Sequence, residues 1–293
     1  MAYRQLTQVV RGHPAVDGAG VRLQRVLGAR TMVDFDPFLM LDGFDSTDPA
    51  DYVAGFPWHP HRGIETVTYL LEGEIDHGDS LGNSGVIGRL QCQWMTAGSG
   101  IIHQEMPKAA PRMLGCQLWV NLPAAQKMTE PAYRDIKSGE VAELMEENAR
   151  VRVLSGHYGG KSGAVKGEYV PVQYLDVALG PEAVWEYNQT PNDQTLFLYL
   201  IEGELAADEA LQQFEQKACA MLLSSSKEEG ESEIVRVKAG PVGARFLLLA
   251  AKPLREPIAW GGPIVMNSQE ELDQAFADLR ANTFIRHKQP KVY

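Results

Sequence analysis

Short runs rich in Val, Ile, Leu, Tyr and Trp recur along this chain, with glycine and proline set between them as punctuation. Thr66–Leu71, Gln91–Met95, Gly115–Leu122, Val170–Ala178, Thr195–Ile201 and Arg245–Ala251 are of this kind. Such runs, spaced by about 8–12 residues and separated by turn signals, predict β-sandwiches or barrels. Helical periodicity is confined to two places. Glu140–Ala149 (EVAELMEENA) fits a short helix in mid-chain, where a linker would lie. Ser268–Glu271 reads as a capping box, and Leu272, Ala275, Phe276 and Leu279 follow on one helical face. The pattern is that of an all-β protein with a C-terminal helix.

The chain also repeats itself. Tyr69-Leu-Leu-Glu-Gly-Glu-Ile75 returns as Tyr199-Leu-Ile-Glu-Gly-Glu-Leu205, an offset of 130 with five of seven positions identical. Each copy is an apolar strand running into a Glu-Gly turn, where glycine supplies a backbone conformation that other residues resist. A short apolar strand can recur by chance, but an aligned Tyr-Leu pair and a shared Glu-Gly-Glu favour duplication. Two similar β-barrel domains are therefore expected in tandem: 1–134, a linker at 135–149 that the periodicity makes helical, and 150–293.

Histidine is scarce, with 7 in 293 residues, and 3 of them fall in His59-Pro60-His61 and His103-Gln104-Glu105. In a strand, residues two apart share a face, so each motif presents two metal-capable side chains together. Histidine with a carboxylate suits iron, manganese, nickel or copper better than a structural zinc. Glu65 and Glu105 both share strand parity with a neighbouring histidine, and parity does not choose between them. The offset of 130 carries His59 to Gln189, His61 to Pro191 and Glu65 to Thr195, and no histidine occurs between His157 and His287. Metal chemistry thus belongs to the first domain. Of the remaining histidines, His77 reads as a turn residue before Asp-Ser-Leu-Gly-Asn, while His13, His157 and His287 read as solvated. Trp58, Trp94 and Trp119 read as core or pocket wall.

Bulk properties narrow the setting. A chain of 293 residues, 44% hydrophobic and 22% charged, is an ordinary globular composition at a length where two domains are expected. A net charge of −11 disfavours direct contact with nucleic acid or an anionic membrane. No run of 18 apolar residues occurs and the opening residues lack a signal-peptide core, so the cytoplasm is expected. Cys92, Cys116 and Cys219 have no paired spacing and read as reduced, buried thiols. Lys227–Glu233 (KEEGESE) reads as a solvated loop. Gly98-Ser99-Gly100 is not a dinucleotide loop, because His103 stands where the third glycine belongs and Pro107 would break the helix after it.

His59, His61 and Glu65, followed by a glycine turn and a third histidine, resemble the two metal motifs of cupins. The likeness is closer still to one family. HPHRGIETVTYLLEGE, DHGDSLGN, QWMTAGSGIIHQEMP, QLWVNLP and GGPIVMN are similar to signature stretches of the pirin family and span most of the chain. That resemblance implies two cupin (jelly-roll) domains and a metal held by His59, His61, His103 and Glu105, with Glu65 left as a buried acid nearby. It implies iron(II) as the preferred metal, although copper, nickel, cobalt, manganese and zinc suit the same donors. It also implies quercetin 2,3-dioxygenase activity, in which dioxygen opens a flavonol with release of carbon monoxide and Glu105 takes the 3-hydroxyl proton. The alternative it carries is a non-catalytic, metal-dependent regulator that binds a transcription factor or a metabolic enzyme. Two barrels within one chain favour a monomer. Metal analysis of the purified protein should find one tightly bound ion per chain; two would contradict the confinement of the site to the first domain.

Overall fold

The computed structural model describes residues 3–191, 193–224 and 232–287. The chain forms two compact β units. They do not follow the linear division at 134 and 150. One unit joins Pro14–Ala29 and Phe38–Ser138 to the chain from Leu254 onward; the other joins the N-terminal stretch through His13 and Arg30–Pro37 to Gly139–Pro253. Each end of the chain therefore belongs with the opposite half. Local patterning cannot show this, because strand pairing is a long-range choice.

The expected helical linker is absent. Ser138–Glu140 is a single 3-10 turn, and Ala142–Met145 is an edge strand paired with Ala149–Ser155. Its exposure alternates intermediate and exposed, so the run EVAELMEENA is a half-solvated strand whose glutamates mimic helical spacing. At the other end the expectation holds. Ser268 accepts from the Glu271 amide at 3.2 Å, Glu271 returns a bond to the Ser268 amide, and the helix runs Gln269–Arg280. Among the described residues, no helix is long and apolar enough to cross a membrane.

The first unit is a sandwich of a seven-stranded and a four-stranded antiparallel sheet. The larger has the order Ala132–Ile136, Gln91–Thr96, Ile64–Glu72, Met113–Asn121, Phe38–Ser46, Val21–Leu27, His13–Asp17. The smaller has the order Phe56–His61, Ile101–Pro107, Ile75–Asp79, Ser84–Ile87. The second unit winds one nine-stranded sheet around an apolar core that includes Val151, Leu198 and Phe246, with Trp185 stacked on Tyr187. Gln5–Arg11 pairs there with Cys219–Ser224. The duplicated Glu-Gly turns keep their purpose in both units: Gly73 and Gly203 have φ of 98° and 77°, the left-handed region that glycine favours. Residues 227–231 of the KEEGESE run lie outside the described residues, while Glu233 is fully buried near Arg4 and is no part of a solvated loop.

The segment after Leu254 is fastened to the first unit directly behind the histidine strand. Arg62 is 1% exposed. Its guanidinium donates to the Ser99 carbonyl at 2.7 Å, the Asp278 carboxylate at 2.8 Å and the Phe284 carbonyl at 3.0 Å, and it lies 4.2 Å over the Phe284 ring. Lys127, also buried, donates to the carbonyls of Gly63 and Val265 and to the Asn121 side chain, which together use all three N–H bonds of an ammonium. Gly63 has φ 79°, and a Cβ there would sit 1.9 Å from the Val265 oxygen, so only glycine permits the approach. Removing one partner of a buried ion pair leaves the other charge uncompensated and costs about 3–5 kcal/mol. Arg62→Ala should accordingly unfold at markedly lower urea than the native protein, as followed by far-UV circular dichroism.

Candidate metal centre

Two antiparallel strands carry the histidines inward. Ile101–Pro107 alternates buried and half-buried along its length, which turns Ile101, His103 and Glu105 to the interior. His59 lies directly across from His103, and His61 across from Ile101. Ligand nitrogens of His59, His61 and His103 consequently lie within 4.8 Å of one another, among the described residues the one such group of three. The expected histidine set is thus assembled.

Two of these imidazoles, His61 and His103, are held as neutral donors. Carbonyl oxygens only accept, so the contacts of His59 Nδ1 to Pro57 O (2.9 Å) and His61 Nδ1 to Pro263 O (3.1 Å) place the proton on Nδ1 in both rings. In the neutral ring of His61, Nε2 is left with a lone pair. His61 Nε2 and both nitrogens of His103 are buried and meet no hydrogen-bonding partner in the protein. Burial, reinforced by the charge of His59, pushes His61 down to about 3. Burial, with His61, His59 and His77 around it, also holds His103 well below the ordinary imidazole range. Buried nitrogens with unused lone pairs, in rings that resist protonation, are the donor set that a divalent transition metal fits.

Glu105 lies outside that close group. Its carboxylate accepts from Thr68 Oγ1 at 2.9 Å and from Gln117 Nε2 at 2.7 Å, and Gln117 Oε1 in turn accepts from the Trp119 indole at 3.3 Å. An indole nitrogen only donates, so Trp119 fixes which end of the Gln117 amide faces Glu105. Glu65, the other candidate acid, is buried and accepts from Thr96 Oγ1 at 2.7 Å on the adjacent strand.

Sequence reading misplaced His77. It is on the strand Ile75–Asp79, 4% exposed, stacked on Tyr133 (4.5 Å between rings) and 5.4 Å from the His103 ring. The turn begins just after that strand, and the Gly-Asp-Ser-Leu-Gly composition hid a strand end. Trp58 is 55% exposed and Trp94 is core, whereas Trp119 is a wall. His13 and His157 are exposed, as expected. All three cysteines are buried thiols rather than disulfide partners.

His59 and His61 open onto a cavity of about 570 Å³ within the first unit. Phe44, Phe56, Trp119 and Trp260 supply aromatic walls, with Trp119 edge-on to His61 at 5.0 Å and 5.9 Å from Trp260. Trp260 comes from the returning C-terminal segment, and nothing in its local sequence linked it to residues 200 positions away.

Fold and cluster together define a two-domain cupin in which one domain carries a histidine site of metal-binding type. Residues 20–120 match the Pirin family and residues 174–285 the Pirin C-terminal cupin domain. The chain belongs to the pirin family. A Pseudomonas aeruginosa protein provisionally named a quercetin 2,3-dioxygenase is 45% identical over 95% of this chain and 97% of its own length. Human Pirin is 39% identical over 97% of this chain and 96% of its own length. The crystal structure of quercetin 2,3-dioxygenase from Acinetobacter baumannii superposes with a TM-score of 0.83 at 29% identity, covering 97% of this chain and 99% of that one. His103→Ala should lose tight metal binding in competition with a chelator, whereas His77→Phe, which keeps a ring against Tyr133, should retain one ion per chain.

Proposed function

We propose that this chain is a metal-dependent dioxygenase of the quercetinase type, which opens the central ring of a flavonol such as quercetin. The observation that carries the reading is the aromatic cavity ending on His59 and His61. Its volume lies within the range of about 300–1,000 Å³ usual for pockets that enclose a flat organic molecule. The names of the Pseudomonas and Acinetobacter relatives support the same chemistry.

In this reading His59, His61 and His103 hold the metal, iron(II) by preference, and Glu105 completes the set or stands beside it. A bound divalent ion supplies Lewis acidity and exchangeable positions. Trp119 and Trp260 take the flat rings, and Phe44 and Phe56 exclude water around them. Glu105 is the base that removes the 3-hydroxyl proton. Thr68 and Gln117 keep its carboxylate aimed, because it accepts from both donors at once.

The test follows loss of quercetin's visible absorbance in air by protein loaded in turn with iron, copper, nickel, cobalt or manganese. Turnover is expected with iron. Glu105→Gln should lower kcat by about 10²–10⁴-fold, the usual range for general base catalysis, with the metal retained. Undiminished turnover in that variant would remove Glu105 as the base. Absence of turnover with every metal would displace the enzyme reading in favour of a metal-dependent regulator acting through a protein partner.

A further inference from the structure

Part of the cavity lining is charged, and the chemistry above leaves it unused. Asp17, Arg25 and Asp42 all face the same space as His59, His61, Trp119 and Trp260. Strand pairing sets Arg25 directly beside Asp42. Arg25 donates through Nε to Asp42 Oδ1 at 2.9 Å and through Nη2 to Asp42 Oδ2 at 2.7 Å, a two-pronged fork, and Nη2 also reaches Asp17 Oδ2 at 2.7 Å. Gly18 turns in the left-handed region, with φ 57°, and directs its amide to Asp17 Oδ1 at 2.7 Å. A Cβ on Gly18 would stand 2.6 Å from the Gly55 carbonyl, so the turn that holds Asp17 needs glycine.

This arrangement has a definite chemical sense. Three of the five guanidinium N–H groups are engaged by two carboxylates, whose charges together exceed its own. Asp42 is buried, whereas the Asp17 side chain is half exposed. Burial works against the charge on Asp17, but the bonds from Arg25 and Gly18 outweigh it and hold the carboxyl below its usual range. Two acids and one base leave the wall with a net negative charge, and its accessible group accepts hydrogen bonds.

We propose that Asp17 determines specificity in this cavity: it accepts hydrogen bonds from uncharged, hydroxyl-bearing aromatic molecules and excludes those with a carboxylate at the same place. The assignment rests on the cavity being the substrate cavity, and it narrows the substrate class to neutral polyhydroxylated rings rather than aromatic acids. Asp42 and Arg25 act through Asp17 as positioning residues.

Two ligands that differ only on the outer ring test this, 3,4′-dihydroxyflavone and 3-hydroxyflavone-4′-carboxylate. Both keep the 3-hydroxyl, so the metal's attraction cancels in the comparison. Their Kd values are read from quenching of tryptophan fluorescence on metal-loaded protein without oxygen. The hydroxyl ligand should bind at least about tenfold more tightly, because the acid meets a like charge. Asp17→Asn should bring the two close together by tightening the acid, and Asp17→Glu, which keeps the charge, should preserve the discrimination. Equal affinities in the native protein, or an unchanged ratio in Asp17→Asn, would overturn the proposal. Should neither flavone bind, the flavonol reading falls, and the charge rule is then read from phenol against benzoate. Preference for phenol that Asp17→Asn abolishes sustains the rule; equal binding, or none, defeats it.

Discussion

Three imidazoles share a small space, and the domain around them is organised by what burying two of them costs. A buried polar atom without a partner is worth about 1–3 kcal/mol of lost stability. His61 Nε2 and both nitrogens of His103 are such atoms. The penalty is tolerated because the rings cannot turn away: His59 and His103 are locked across from each other by strand pairing, and His61 is tethered to the Pro263 carbonyl. A metal would take up His61 Nε2 and one of the two His103 nitrogens. Register is the controlling variable, since a slip of one residue between these strands would turn His103 and Glu105 outward.

That rigidity is borrowed from the segment that follows Leu254. It supplies the acceptor for His61, one aromatic wall through Trp260, and the anion and carbonyl that neutralise Arg62 next to the ligand strand. The second unit offers a contrast. Its interior is filled by apolar side chains and stacked aromatics, with no buried imidazole among the described residues to compensate. Both units keep a turn glycine, at 73 and 203, while their interiors differ in chemistry.

The legible part of the fold was local. The inward-facing His-Pro-His pair and His103, the glycine turns and the capping box depend on spans of a few residues, and the structure brings the three histidines together, keeps the turns and forms the cap. Features made by distant pairing were not legible. EVAELMEENA has helical spacing but is drawn into a sheet edge; His77 sits where a turn composition overlaps the end of a strand. Gln117, Trp260, Asp17 and Arg25 are scattered single residues with no spacing to mark them, and only the folded chain brings them to one cavity. Glu105 stands between these cases. Sequence selected it and strand parity turned it inward, yet it bonds to Thr68 and Gln117 instead of joining the close histidine group.

The exchange of chain ends between the two units has a consequence for biosynthesis. A ribosome delivers residues in order, and the strand pair bearing all three histidines is complete by Pro107, about 150 residues before Trp260 and Pro263 exist. Until then the ring of His61 lacks its carbonyl anchor and Arg62 lacks Asp278 and Phe284. The nascent first domain is therefore an unfinished vessel. Its histidine cluster gains these partners only once the second domain has been made and the chain has returned, so synthesis of the whole polypeptide, rather than of the half that bears the histidines, is the step that completes the cluster's surroundings.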